Sequence, residues 1–274
     1  MKYKYFKDKV IIVTGASSGI GLATAKLFAS MESKVVMASR SLDKLNELKN
    51  EMPNPDNILC VKADVSVEKD CENLIQQTVD KFGRIDILVN NAGISMRAML
   101  KDLDLDVIRK LMDTNFWGTV YCTKYALPYL LESKGSIVGV ISTAGYIGLP
   151  GRTGYSASKF AIRGFLNTLR VEHRYDNLHV MVFAPGFTSS NIRNVALLAD
   201  GSQQGKTPRD ENKMMSAEKV ARKMAYGLRF RKKEMILTSL GKLTKFFDFV
   251  WPRFVEWVEY RMMAKEPESP IKKK

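Results

Sequence analysis

The sequence predicts an α/β fold: a doubly wound, parallel sheet of seven strands flanked by helices, with an amphipathic helical extension at the C-terminus. Three observations predict it. Short β-branched runs alternate with longer helical patterns, and that alternation builds right-handed βαβ units around a sheet covered on both faces. Val10–Val13, the turn Thr14–Gly21 and Leu22–Phe28 read as a buried strand, a glycine-rich turn and an apolar-periodic helix. Finally, 274 residues with 45% hydrophobic and 26% charged content suit one large domain, and no repeat or low-complexity linker divides them. Residues 1–240 are expected to form that domain, with 241–274 as its basic extension.

Strands are expected at 10–14, 34–39, 58–62, 86–89, 136–141, 178–183 and 234–237. Helices are expected at 19–30, 42–51, 67–82, 103–131, 153–172 and 216–229, the last capped by Ser216. The polar stretch Asp200–Asp210 interrupts the pattern after the sixth strand, as a lid or mobile surface loop would. Beyond 240, Leu243, Phe247, Val250, Phe254, Trp257 and Val258 fall on one side at helical spacing, and Pro252 divides the run into two short helices. Lys245, Asp248, Arg253 and Glu256 argue against a spanning helix. Aromatic residues with Lys242, Lys245, Arg253, Arg261 and Lys272–Lys274 describe a segment lying in the plane of an anionic membrane surface, or else a helix packed on its own domain or a partner subunit.

Charge and composition narrow the classes. The chain has 43 basic and 29 acidic residues, and residues 213–274 alone hold sixteen basic and seven acidic ones. That balance suits anionic partners, meaning phosphorylated cofactor, acidic lipid or nucleic acid, or else is plain solubility charge; a nucleic-acid partner is not expected. Cys60, Cys71 and Cys122 are odd in number and form no C-x-x-C pair, which fits reduced thiols in the cytoplasm. His173 and His179 are too few for a histidine metal site, so no metal is expected. The basic leader is followed by only about four apolar residues, too few for a secretory signal.

The chemistry begins at the first turn. Gly15, Gly19 and Gly21, with Ser17, Ser18 and Ile20 between them, let backbone N–H groups approach a pyrophosphate at a helix N-terminus. After the second strand stands Arg40, where an NAD site would want a carboxylate. Its guanidinium suits a 2′-phosphate, unless it is simply an exposed arginine opening the next helix. Asp64-Val65 follows the third strand, where a carboxylate can accept from an adenine amino group, and Asn91-Ala92-Gly93 closes the fourth at the sheet edge where such folds bind ligands. Tyr155 and Lys159 share a helix face at i,i+4, and Ser142 ends the fifth strand. An ammonium near a phenol lowers a pKa that starts near about 10, preparing Tyr155 to exchange a proton with a carbonyl oxygen, while Ser142 polarises that oxygen.

These segments, together with Asn115 in Met112–Gly118 and Pro185-Gly186 with Thr188, occur in the order and spacing of the short-chain dehydrogenases/reductases, which the sequence resembles over residues ~8–237. The resemblance implies a Rossmann-like sheet, a tetrad of Asn115, Ser142, Tyr155 and Lys159, and a homodimer or homotetramer. It implies that Asn115 supports a water relaying protons to Lys159, that Lys159 also binds the nicotinamide ribose, and that Pro185, Gly186 and Thr188 hold the nicotinamide end. Relatives that prefer NADP often carry a second basic residue in the glycine turn; Ser17 and Ser18 stand there instead, so the expected NADP(H) preference rests on Arg40. The substrate pocket is placed around Ile94–Arg97, Thr143–Pro150 and the segment after Phe187. Met96, Met99, Tyr146, Ile147, Leu149, Phe187 and Leu197 would make it apolar, where some of them are not core. The expected reaction interconverts a ketone and a secondary alcohol on a hydrophobic compound, a 3-keto lipid or a steroid-like ketone. The alternative is a non-catalytic NADP(H)-binding scaffold, which would have no need of an intact tetrad.

Overall fold

The strand Val10–Thr14 (β1) is buried at every residue, with no polar face. Such a run can only be satisfied in a parallel sheet covered on both sides. The computed structural model, which describes residues 4–207 and 214–271, builds that sheet. Its other strands are Lys34–Ser39 (β2), Ile58–Lys62 (β3), Ile87–Asn90 (β4), Ser136–Val140 (β5), His179–Ala184 (β6) and Glu234–Ile236 (β7). All pair in parallel in the order β3-β2-β1-β4-β5-β6-β7.

β1 therefore lies between β2 and β4, with Val13 registered to Met37 on one side and Val89 on the other. This is where the winding reverses, and the crevice beyond the strands' C-terminal ends is where such sheets take ligands. Side chains alternate between two apolar layers. Ile12, Val36, Leu88 and Ile137 pack with the helices Glu68–Phe82 (α3), Gly118–Glu132 (α5) and Thr153–Glu172 (α6). Ile11, Val35, Val89 and Phe183 face the helices Gly19–Ser30 (α1), Leu42–Asn50 (α2) and Ala217–Arg229 (α7). The hydroxyl of Ser216 caps α7 by accepting from the backbone N–H of Lys219 at 3.3 Å, as its position in the sequence suggests.

The continuous helix expected over 103–131 is instead three pieces. A short helix Leu105–Leu111 (α4) passes through a π-helical turn, Met112–Trp117, into α5. The apolar spacing runs through all three, so period alone does not show the widened turn; such turns are frequent at functional sites. Of the polar stretch after β6, Asp200–Thr207 folds back so that Gln203 bridges Leu197, while Pro208–Asp210 lie outside the described residues.

The C-terminal run divides at Trp251 into Ser239–Val250 (α8) and Pro252–Ala264 (α9), with Pro252 in the first turn of α9, where its missing N–H costs nothing. α9 buries Val255, Glu259 and Met263 at i,i+4 spacing. The other side stays open: Phe249, Val250, Trp251 and Trp257 are 89%, 60%, 60% and 51% exposed. Among the described residues, no helix is long and apolar enough to cross a membrane.

Candidate active site

Two adjoining cavities open at the C-terminal ends of β1, β4, β5 and β6. The larger, about 520 Å³, is lined by Gly15, Ser17, Ser18, Gly19, Ile20, Arg40, Asp64, Val65, Asn91, Ala92 and Gly93, with Thr114 and Ser190–Ile192 opposite. The smaller, about 150 Å³, is lined by Ser142, Tyr155, Lys159, Pro185, Gly186 and Thr188. Ile20, Asn91 and Gly93 border both, so the cavities meet along the glycine turn and the end of β4.

The larger cavity suits a dinucleotide because its floor is backbone. Gly15 and Gly19 have φ of +66° and +52°, the left-handed region where a side chain is strained. A Cβ on Gly21 would stand 2.2 Å from the Gly15 carbonyl oxygen and 2.6 Å from Asn91 Nδ2, so only glycine lets the turn close. Thr14, to which the motif assigned no role, ties the floor together. Its hydroxyl accepts from the backbone N–H groups of Asn91 and Ala92, both at 3.0 Å, and Asn91 Nδ2 donates to Thr14 O at 2.9 Å. Arg40 is exposed at the rim between Ser39 and Ser41, and α1 begins at Gly19, presenting its free N–H groups to the cavity. The Asp64 carboxylate is partly engaged: one oxygen accepts from the N–H and hydroxyl of Ser66, at 3.0 and 2.7 Å.

The smaller cavity holds the titratable groups. Tyr155 and Lys159 lie one turn apart on α6, and Lys159 Nζ is 5.7 Å from the Tyr155 ring centroid. Burial pushes the Tyr155 phenol up. The Ser142 hydrogen bond and the positive charges of Arg152 and Arg193 pull it back down. Lys159, whose charge is expected to act on this phenol, is turned toward the sheet. The Lys159 ammonium donates instead to Val140 O at 3.0 Å, and burial lowers it to about 8. Asn115 is fully buried in the π-helical turn. Its Oδ1 accepts from Ile94 N at 2.8 Å, and its Nδ2 donates to Ile94 O at 3.0 Å and Ser158 Oγ at 2.9 Å. A Cβ on Gly93 would meet Asn115 Oδ1 at 3.0 Å and Lys159 Nζ at 3.4 Å, so Gly93 is the space these two groups share. Thr188 turns its hydroxyl to Gly186 O at 3.0 Å, fixing the bend after β6.

The apolar lining expected for the substrate is corrected in detail. Leu149 and Phe187 line the smaller cavity, but Met96, Tyr146, Ile147 and Leu197 are packed in the core, and Met99 caps a short turn. Tyr146 turns inward to donate to Glu234 at 2.8 Å. Ser95, Arg152, Arg193 and Gln204 contribute polar wall that the motifs did not indicate. Arg152, three residues before Tyr155, is the one whose position could have drawn notice.

A family model described as short chain dehydrogenase matches residues 9–198. The chain belongs to the short-chain dehydrogenase family. It is 33% identical over 98% of its length to dehydrogenase/reductase SDR family protein 7-like of Dictyostelium discoideum, covering 84% of that protein. It is 35% identical over 96% of its length to 11-beta-hydroxysteroid dehydrogenase A of Sesamum indicum, covering 78% of that protein. Among solved structures, a short-chain dehydrogenase from Streptomyces avermitilis superposes with a TM-score of 0.80 at 25% identity, covering 93% of this chain and 97% of that one. As a short-chain dehydrogenase the chain is an oxidoreductase of a family that uses a nicotinamide cofactor.

Proposed function

We propose that this short-chain dehydrogenase interconverts a ketone and a secondary alcohol on a hydrophobic, lipid-like or steroid-like substrate, using NADP(H). The observation that carries the reading is the shared cavity of Ser142, Tyr155 and Lys159, opening directly onto the glycine-floored cavity. NADPH, when bound, supplies the hydride. Gly15, Ser17–Gly21, Asp64-Val65 and Asn91–Gly93 hold the dinucleotide, Arg40 takes its 2′-phosphate, and Lys159, Pro185, Gly186 and Thr188 hold its nicotinamide end. Tyr155 gives a proton to the carbonyl oxygen during reduction, or takes it from the alcohol in the reverse direction. Ser142 donates to the same oxygen. Asn115 keeps the bend after β4 open beside Lys159. The relatives named as 11-beta-hydroxysteroid dehydrogenases support a hydrophobic ketone.

The exposed aromatic side of α8 and α9 supports a cytoplasmic enzyme seated on an anionic membrane surface, from which such a substrate is drawn. Part of the charge anticipated for that contact is otherwise engaged: Lys245 pairs with Glu234, and Arg261 stacks 4.1 Å over the Trp257 ring. Lys242 and Arg253 are exposed, and Lys272–Lys274 lie outside the described residues. The test is a panel of keto-lipids and steroid ketones assayed for NADPH and NADH oxidation, with mass identification of the alcohol. Oxidation of NADPH with alcohol formation is expected; absence of turnover across the panel would overturn the reading.

A further inference from the structure

After α9 the chain turns back over the segments that follow β4 and β5. Glu266 there is 5% exposed and lies 3.6 Å from Arg97, itself 5% exposed, and 3.4 Å from Arg152, 12% exposed. Arg97 also donates to the carbonyl of Pro267, and Arg152 donates to Met96 O at 3.1 Å. Pro270 lies against Gly151, where an added Cβ would come within 2.9 Å of its ring. The tail is thus fastened by a buried carboxylate between a buried guanidinium, Arg97, and a partly buried one, Arg152. Removing the carboxylate from such an arrangement leaves two cations without that partner in a low-dielectric site, so Glu266 is far more than a surface charge.

One of the two guanidiniums has a second address. Arg152 lines the cavity that holds Tyr155 and Ser142, and its charge reaches the Tyr155 phenol. A guanidinium has five N–H donors in a rigid plane, so partners on Nη1 and Nη2 fix the direction of every N–H in that plane. Resting on the oxidoreductase reading, we propose that Glu266 is a positioning residue for substrate recognition. It holds Arg152 at the cavity wall, where Arg152 donates to an acceptor oxygen of the substrate other than the reacting carbonyl. The substrate class is then a ketone on an apolar body that also carries a hydroxyl, oxo or carboxylate oxygen. The family model ends at residue 198, so Arg152 lies inside the matched segment and Glu266 outside it.

The experiment uses the full chain with 2-decalone, which has one oxygen, and its hydroxy and carboxy derivatives, which have a second acceptor. Glu266→Gln should raise KM for the two derivatives roughly tenfold, the scale of one hydrogen bond to a charged group. It should leave the KM for 2-decalone and the affinity for NADPH unchanged. A rise for the carboxylate alone assigns the subsite to an anion, and a rise for both assigns it to any acceptor oxygen. Arg152→Lys keeps the cation and loses the planar fork, and if Glu266→Gln cannot be purified it should raise KM for the two derivatives by a larger factor than for 2-decalone. An equal rise for all three ketones, or a fall in thermal midpoint with no change in KM, overturns the proposal while leaving the oxidoreductase reading intact. No turnover of any ketone by the wild type overturns both.

Discussion

The two ends of the sheet are both polar, for opposite reasons. At the N-terminal ends of the strands, the buried Asp86 and His179 have their partners within the protein. Asp86 accepts from Val10 N at 2.9 Å and from Arg84 at 2.7 and 3.1 Å. His179 bonds Ser136 Oγ at 3.1 Å and Lys232 O at 2.9 Å. At the C-terminal ends, Ser142, Tyr155, Arg40 and Asn91 face cavities. A closed network of this kind lends stability, and an open one leaves donors and acceptors for a ligand. The contrast implies that substitutions at one end should change stability without rate, and at the other rate without stability.

The sharpest way to break that contrast is Tyr155→Phe. It removes one hydroxyl from a half-buried ring and leaves the packing in place. Loss of the proton donor should lower kcat by roughly 10²–10⁴-fold, with thermal midpoint and NADPH affinity unchanged. Retention of more than about a tenth of wild-type kcat on an active ketone would remove Tyr155 from its assigned role.

The opposite end is tested by pH. Burial lowers His179 from 6.5 to about 4. The folded state therefore binds fewer protons than the unfolded one between those values. Stability from this group is complete above pH 6.5 and is lost as pH falls toward 4, amounting to about 3 kcal/mol. Urea unfolding of wild type and His179→Asn at pH 7.5 and 4.5 isolates this contribution from other carboxylates and histidines. The variant should show the smaller loss between the two pH values, and its kcat at pH 7.5 should match wild type. Parallel losses would show that His179 is not the group that titrates.

What the sequence made legible follows the same division. The cofactor cavity is written in contiguous runs because close backbone approach demands glycine, and a Cβ at Gly21 has no room. Tyr155 and Lys159 were legible because i,i+4 on one helix fixes their neighbourhood. The substrate wall was not. Arg152 is held by Glu266, 114 residues away, and a pair that distant leaves no local spacing to read. Met96 and Leu197 illustrate the converse error: they fall in pocket-forming segments but bridge each other in the core. The π-helical turn at Asn115 hid because one extra residue per turn leaves the apolar periodicity on either side intact.

Within the cofactor cavity, Arg40→Ala separates shape from charge. The glycine floor binds either dinucleotide; the arginine should discriminate between them. A charge-assisted bond to a 2′-phosphate contributes about 1.5–3 kcal/mol, or roughly tenfold to a hundredfold in affinity. Fluorescence titration should show wild type preferring NADPH over NADH by that factor, and the variant losing the preference while keeping its NADH affinity. Equal wild-type affinities would assign Arg40 to the rim of α2 and nothing more.

The smallest effect tests the hairpin, where two lysines three residues apart are expected to behave differently. Lys242 is exposed on α8 and free to approach a surface, whereas Lys245 pairs with Glu234 and lies 4.8 Å from the Tyr146 ring centroid. A lysine near an anionic leaflet contributes about 1 kcal/mol, roughly fivefold in partitioning. Lys242→Gln should therefore weaken co-sedimentation with phosphatidylserine-containing vesicles by about that factor at low salt, with the difference closing as salt rises. Lys245→Gln should leave vesicle binding nearly unchanged and instead loosen α8 from β7, seen as faster amide exchange across residues 239–250. If wild type remains in the supernatant with anionic vesicles at low salt, the exposed aromatic side of the hairpin belongs to a protein partner or a second copy of the chain. In that case both lysine substitutions would be read in the oligomeric state rather than in the pellet.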